Sequence, residues 1–238
     1  MGTLRVASWN VRDLLGDPLA LRRVLRSLRA DVVCLQEAPR RPAGGWRTSR
    51  LARDAGLRHV GGGPVSGGTA VLLGPQVGVR SLVAARLPVQ GVFTRTRGLV
   101  LAELAVVSGR ATGLALTVAC LHLPLEPHLR LRHVRLAEAA LARRPSPYVV
   151  CGDLNEAPGG PAWQELAALA SDPAPDAGPT FPAGREDVRL DAVLVGAGLR
   201  VVRYGDGDVD HADVLAATDH LPVVADLEPV AGDPAQQS

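Results

Sequence analysis

The chain contains no lysine: all 26 of its basic residues are arginine, set against 24 acidic residues for a net charge of only +2. A near-neutral balance neither demands nor excludes a polyanionic partner, because a local basic face can exist on a neutral protein. Arginine-only usage beside abundant alanine, glycine and proline reads as codon bias rather than chemistry. Aromatics are scarce, with three Trp, two Tyr and two Phe, which leaves few platforms for stacking nucleobases. There are only three cysteines, Cys34, Cys120 and Cys151, each inside an apolar run. That odd, embedded set favours reduced core thiols over a disulfide framework. No apolar run approaches the roughly 20 residues of a membrane helix, so stable membrane insertion is not expected. The first residues lack an apolar signal region, which makes the cytoplasm the default compartment.

At 238 residues the sequence fits one domain able to bury a full core, expected over 1–228, with a frayed tail over 229–238. Its apolar segments are short and rich in Val and Leu, as in strands buried on at least one side. Strands are predicted at 3–10, 31–36, 57–60, 68–73, 78–86, 98–107, 113–122, 147–152, 189–195, 199–204 and 222–227. That number exceeds one ordinary open sheet.

At least three amphipathic helices lie between them. In the first, Asp17 is a candidate N-cap, Pro18 takes the first helical position, and Leu21, Val24, Leu25 and Leu28 form the buried stripe. The second, over 127–143, places Leu129, His133, Leu136 and Ala140 on one face, with Arg130, Arg135 and Arg143 elsewhere. The third, over 160–170, opens at Pro161 and stripes Trp163, Leu166 and Ala170. Such a mixture implies an α/β layered architecture of two packed sheets with outer helices. Strand-helix-strand followed by hairpins occurs twice, which suggests two similar halves without a sequence repeat. Residues 171–188 read as a rim loop, 206–213 as a solvated acidic hairpin loop, and the glycines at 61–63 and 67–68 as flexible rim.

The chemistry-bearing residues close apolar runs. Asn10 follows Val6 to Trp9, Glu37 follows Val32 to Gln36, and His122 follows Leu116 to Leu121. Asp153 and Asn155 follow Tyr148 to Gly152, Asp191 follows Val188 to Leu190, and Asp219-His220 precedes the last strand. Strand ends are where a fold brings side chains distant in sequence to one rim. Singly, each residue has an ordinary explanation: a capping amide, a solvated loop charge, a turn residue or a structural histidine. His59, His128, His133 and His211 lack this placement and read as structural or solvent-facing. Asp219 and His220 are neighbours on an extended segment and face opposite ways, which leaves His220 free to pair with Asp191. No Gly-x-Ser-x-Gly elbow is present, the cysteines are embedded in strands, and no P-loop lysine exists, so a Ser, Cys or P-loop mechanism has no support.

Taken in order, Ser8-Trp9-Asn10, Leu35-Gln36-Glu37, Leu121-His122, Gly152-Asp153-Leu154-Asn155, Arg189-Leu190-Asp191 and Thr218-Asp219-His220-Leu-Pro-Val resemble the endonuclease/exonuclease/phosphatase family over residues 3 to 228. The resemblance implies a four-layer αββα sandwich, with two packed mixed β-sheets and helices on the outer faces. It also implies Mg²⁺-dependent phosphoester hydrolysis, with Mn²⁺ as a substitute. Carried over, Glu37 is the principal metal ligand with Asn10 and Asp219 nearby, and Asp153 orients and deprotonates the attacking water. Asn155 and His122 hold phosphate oxygens, and His220, paired with Asp191, contacts the scissile phosphate. The expected activity is that of a monomeric phosphodiesterase or nuclease acting on a phosphoester substrate such as nucleic acid. The alternatives are a phosphomonoesterase, a lipid phosphodiesterase of inositol-phosphate or sphingomyelinase type, or a non-catalytic module on the same fold.

Three positions depart from relatives. Arg12 stands where abasic-site endonucleases carry an acid, His122 where they carry an aromatic, and Ala192 where many relatives do. No clear basic recognition loop or apolar membrane hairpin is present, with Val89 to Phe93 a weak candidate for the latter. Arg95 and Arg97 are candidate phosphate contacts.

Overall fold

A computed structural model describes residues 2–89, 95–109, 111–185 and 187–230. The apolar segment at 89–93 and the tail from 231 therefore fall almost wholly outside the described residues.

The elements in chain order are β1 (Leu4–Asn10), α1 (Pro18–Leu28), β2 (Val32–Gln36), α2 (Gly44–Asp54), β3 (Arg58–Gly62), β4 (Ala70–Leu73), β5 (Val77–Arg86) and β6 (Gly98–Val106). There follow β7 (Ala115–His122), α3 (Pro127–Leu141), β8 (Tyr148–Asp153), α4 (Pro161–Leu166), β9 (Asp191–Val195), β10 (Leu199–Gly205), α5 (His211–Ala217) and β11 (Val223–Pro229). They build a six-stranded sheet in the order β10-β11-β1-β2-β4-β3 and a five-stranded sheet in the order β5-β6-β7-β8-β9. Each sheet has one parallel pair at its centre, β1 with β2 and β7 with β8, and antiparallel strands around it. The expected pair of similar halves is visible in this matching order.

Period-two alternation sorts the side chains into three apolar layers. One lies between the sheets and joins Leu4, Val6, Val32 and Cys34 to Val118, Cys120, Val149, Cys151 and Val193. A second places Ala7, Trp9, Val33 and Leu35 under α1, α2 and α5. The third places Leu121, Val150 and Leu194 under α3 and α4. The result is the expected αββα sandwich.

Helix α1 follows its sequence signals. Asp17 accepts the Leu19 N–H at 2.7 Å, Pro18 opens the helix, and Leu21, Val24, Leu25 and Leu28 are buried. Elsewhere the structure corrects the sequence reading. Helix α2 was not anticipated, because it opens on Gly44 and Gly45, lacks a side-chain cap, and buries only Gly44, Thr48, Leu51 and Ala52. On α3, Leu129 and His133 are buried as expected, but the buried face also takes in Arg130, Val134 and Ala137, whereas Leu136 is exposed. Arg130 is buried because its guanidinium reaches Glu156 and the carbonyls of Pro124, Leu125 and Asn155. The acidic run at 206–213 is not simply a hairpin loop: Asp210 accepts the Ala212 N–H at 2.8 Å and caps α5. The helix at 160–170 is regular only to Leu166, and β11 runs on to Pro229.

The glycines at 61–63 and 67–68 are not a loose rim. Gly67 has φ of +64°, and a Cβ there would stand 2.7 Å from the Arg97 carbonyl carbon. Only a residue without a side chain lets this turn pass against the start of β6. Gly67→Ala is therefore expected to destabilise the fold by about 1–3 kcal/mol. Urea unfolding checks it, with an unchanged midpoint as the contrary result.

Candidate active site

The alternation that buries Leu4 and Val6 between the sheets places Ser8 and Asn10 next on the same face. Likewise Val118 and Cys120 lead to His122, Val149 and Cys151 lead to Asp153, and Val195 and Val193 lead back to Asp191. The inter-sheet layer therefore turns from apolar to polar at one end. The central parallel pairs all finish at that end, where α/β folds place ligands. Antiparallel β9 begins there, with Asp191 directly across from Asp153. The chain then leaves the strand ends through left-handed residues that are not glycine: Arg12, Asp13 and Leu14 after β1, Glu37 after β2, and Asn155 after β8. Such strain persists where surrounding structure enforces it, as at functional sites.

Asp153 is the centre of the site. Its Oδ2 accepts from Asn10 Nδ2 at 3.0 Å and lies 3.3 Å from His122 Nε2 and 4.0 Å from His220 Nε2. Its Oδ1 accepts the Asn155 N–H at 3.0 Å. Burial pushes this carboxyl up, but His122, His220 and the Asn10 amide together hold it below the usual carboxylate range.

His122 is buried with both ring nitrogens engaged, since Arg97 Nη1 donates to Nδ1 at 3.2 Å. Burial foremost, aided by the Arg97 charge, lowers its pKa against the pull of Asp153. The ring is then neutral and donates from Nε2 to Asp153. Arg97 is itself buried and lies 3.8 Å from Glu37.

His220 is held on three sides. Its Nδ1 meets Asp191 Oδ2 at 2.9 Å, its carbonyl accepts from Trp9 Nε1 at 3.0 Å, and the Phe181 ring packs 4.7 Å away. Burial opposes its charge, yet Asp191 first and then Asp153 and Asp219 raise its pKa to about 9. Asp191 is fully buried. Thr180 Oγ1 accepts the backbone N–H groups of Leu190 and Asp191, which commits its own proton to Asp191 Oδ2 at 2.7 Å. Burial raises the Asp191 carboxyl against the pull of His220 and Thr180.

Glu37 and Asp219 stand at the mouth. Arg95 reaches Glu37 Oε1 at 2.9 Å, and Arg12 lies 3.4 Å from Asp219. Thr218 Oγ1 donates to the Asn10 carbonyl at 2.9 Å, which fixes the chain beside Asp219. Asn155 donates its side-chain amide to the Leu123 carbonyl at 2.8 Å.

Seven of the eight residues singled out from the sequence, Asn10, Glu37, His122, Asp153, Asn155, Asp219 and His220, line one cleft of about 410 Å³. Asp191 lies behind it, on the far side of the His220 ring. The sequence did not reveal Thr180, Phe181 and Trp9 as parts of the site. The first two come from the proline-rich 171–188 loop, which has no period to read, and Trp9 is hidden as one more apolar residue of β1. Glu37, Asp219 and the Asn10 side-chain amide oxygen line the cleft and offer only oxygen donors, which suits a hard divalent cation. A tighter trio, Asp153, Asp191 and His220, brings ligand atoms within 4.8 Å of one another. A protonated His220, however, donates rather than ligates.

The Endonuclease/Exonuclease/phosphatase family profile matches residues 7–220. No curated protein sequence matches the chain. Among solved structures, an endonuclease/exonuclease/phosphatase from Bacteroides vulgatus is similar, with TM-score 0.77 and 17% identity over 97% of this chain and 100% of that one. A Bacteroides thetaiotaomicron mannosyl-6-phosphatase gives 0.73 and 17%, over 94% and 99%. D. rerio TDP2 in complex with a single-strand DNA product gives 0.67 and 17%, over 95% and 99%. These likenesses extend the shared fold across nearly all of the sequence. With the profile covering most of its length and the strand-end residues meeting in one cleft, the chain belongs to the endonuclease/exonuclease/phosphatase family.

Proposed function

We propose that the protein is a divalent-metal-dependent phosphoester hydrolase, Mg²⁺ being the fitting ion, that acts on phosphodiesters. The observation that carries this reading is the convergence of Glu37, Asp153, Asn155, Asp219 and His220 on one cleft from separate strand ends. The family is generally hydrolytic on phosphoesters, and its enzymes are typically divalent-metal dependent. Neighbours on this fold include a sugar phosphatase and a protein holding a DNA product, so the fold alone does not choose a substrate.

Glu37, with Asn10 and Asp219, would hold the ion, whose charge neutralises phosphate oxygens. Asp153, kept ionised, accepts a hydrogen bond from the attacking water and takes its proton as the new P–O bond forms. Asn10 and neutral His122 fix the orientation of that carboxylate, and Arg97 holds His122 in the required tautomer. His220, as an imidazolium backed by Asp191, donates from Nε2 to a phosphate oxygen as charge builds toward the leaving group. Asn155 and Arg95 line the same cleft and would meet further phosphate oxygens. The leaving alkoxide departs opposite the water and takes its proton from solvent.

With bis-p-nitrophenyl phosphate, Asp153→Asn is expected to lower kcat by about 10²–10⁴-fold. Chelation should abolish turnover and Mg²⁺ restore it. A wild-type rate in that variant, or indifference to chelator, would sink the reading. Rates across double-stranded DNA, RNA, abasic DNA, inositol phosphates and sphingomyelin then identify the substrate.

The His220–Asp191 pair has its own signature in metal-free protein. A histidine held above its ordinary value contributes stability that is complete below that ordinary value and lost as the pH rises through the folded value. With His220 at about 9, the wild type should lose stability between roughly pH 6.5 and 9. Its ring resonances should titrate near the upper figure. Asp191→Asn should move that titration down by more than one unit and flatten the stability loss; an unmoved titration contradicts the pairing.

A further inference from the structure

Beside the cleft, an apolar groove of about 420 Å³ runs between α1 and α2. Leu14, Leu21, Leu51 and Pro18 line its floor and walls, and Leu19 and Trp46 stand at its edge, 51% and 59% exposed. The turn after β1 links groove and cleft directly: Leu14 faces the groove and Leu15, 72% exposed, lines the cleft. Leu125, 68% exposed, lines the same cleft. Large apolar side chains thus flank the cleft and extend along one side of it, an arrangement that water disfavours and that marks interaction surfaces.

The rim of the groove is mainly cationic, with Arg22, Arg47 and Arg50 set against one carboxylate, Asp54. Arg22 makes no ion pair with a described residue. Arg47 donates to the Leu14 carbonyl at 3.1 Å and pairs with no carboxylate among the described residues. Arg50 is 4.0 Å from Asp54 and lies over the Trp46 ring at 5.5 Å. We propose that the face carrying Leu15, Leu19, Trp46 and Leu125 is a docking surface for an anionic lipid bilayer, and that it seats the cleft against phosphoesters at the membrane surface.

Each component suits that occupant. Leucines enter the acyl boundary, a tryptophan ring rests at the headgroup level, and arginines keep their charge among anionic headgroups while their stems remain apolar. A nucleic acid fits less well. Arg50 covers one face of the only exposed tryptophan, and leucines offer bases neither stacking nor hydrogen bonds. A second copy fits less well too, because a twofold contact would set the arginine rim against itself. The second half of the proposal rests on the phosphoesterase reading; the docking itself does not.

Trp46 supplies its own probe, since Trp9 and Trp163 are buried at 0% and 6% exposure. Titration with vesicles of phosphatidylglycerol and phosphatidylcholine should shift tryptophan emission to the blue and co-sediment the protein, whereas pure phosphatidylcholine should bind at least about tenfold more weakly. Leu19→Glu should abolish binding, and Arg22→Gln with Arg47→Gln should weaken it by roughly 30-fold. Circular dichroism and turnover of soluble bis-p-nitrophenyl phosphate should stay unchanged in these variants. The Asp153→Asn variant should still bind vesicles, which separates docking from catalysis. Absence of vesicle binding overturns the proposal. So does a dimer in solution, or an oligonucleotide complex, that the same substitutions abolish.

Discussion

A hydrogen bond from Asn10 Nδ2 to Asp153 Oδ2 ties the polar ends of the two central parallel pairs together. It is buried and charge-assisted, and it crosses a layer that is otherwise mostly apolar. Asn10 comes from the parallel pair of one sheet and Asp153 from that of the other. The bond therefore fixes how the two strand-end clusters face each other. His122, Asn155 and His220 are arranged around the same carboxylate, so their positions follow from it.

Burying this many ionisable groups is costly, because each loses its hydration. The site meets that cost by alternating sign and by satisfying nearly every lone pair. Arg97 stands between Glu37 and His122, His220 stands between Asp191 and Asp153, and Thr180 completes the far side of Asp191. Asp191 Oδ1 and Gln36 Oε1 are buried without a hydrogen-bond partner among the described residues. Both belong to the supporting layer and not to the cleft, so the cost of orienting the machinery is carried one shell behind it.

Much of this arrangement is written locally. Strand alternation from Val6 or Val149 points directly at Asn10 or Asp153, and the chain's only two asparagines, Asn10 and Asn155, both line the cleft. The pairing of His220 with Asp191 followed from opposite facing of neighbours on an extended segment, and it is met at 2.9 Å. What escaped reading depends on tertiary context. Helix α2 has too thin an apolar stripe to announce itself, Arg130 is buried by carbonyls contributed from two other segments, and Thr180 gains meaning only when its loop folds over Asp191. The left-handed geometry of Glu37 is likewise imposed from outside, because nothing in a glutamate favours it.

The three cysteines meet in the dry layer immediately beneath the site, where Cys120 and Cys151 are cross-strand neighbours and Cys120 Sγ donates to the Leu35 carbonyl of the opposite sheet. Burial pushes the Cys120 thiol well above its usual range, so it is inert while the sandwich is closed. Alkylation at these positions therefore requires the sheets to part. The chain thus carries a built-in clock for the opening of its own interior: the modification rate of Cys120 reports how often the floor of the cleft gives way, without any engineered label.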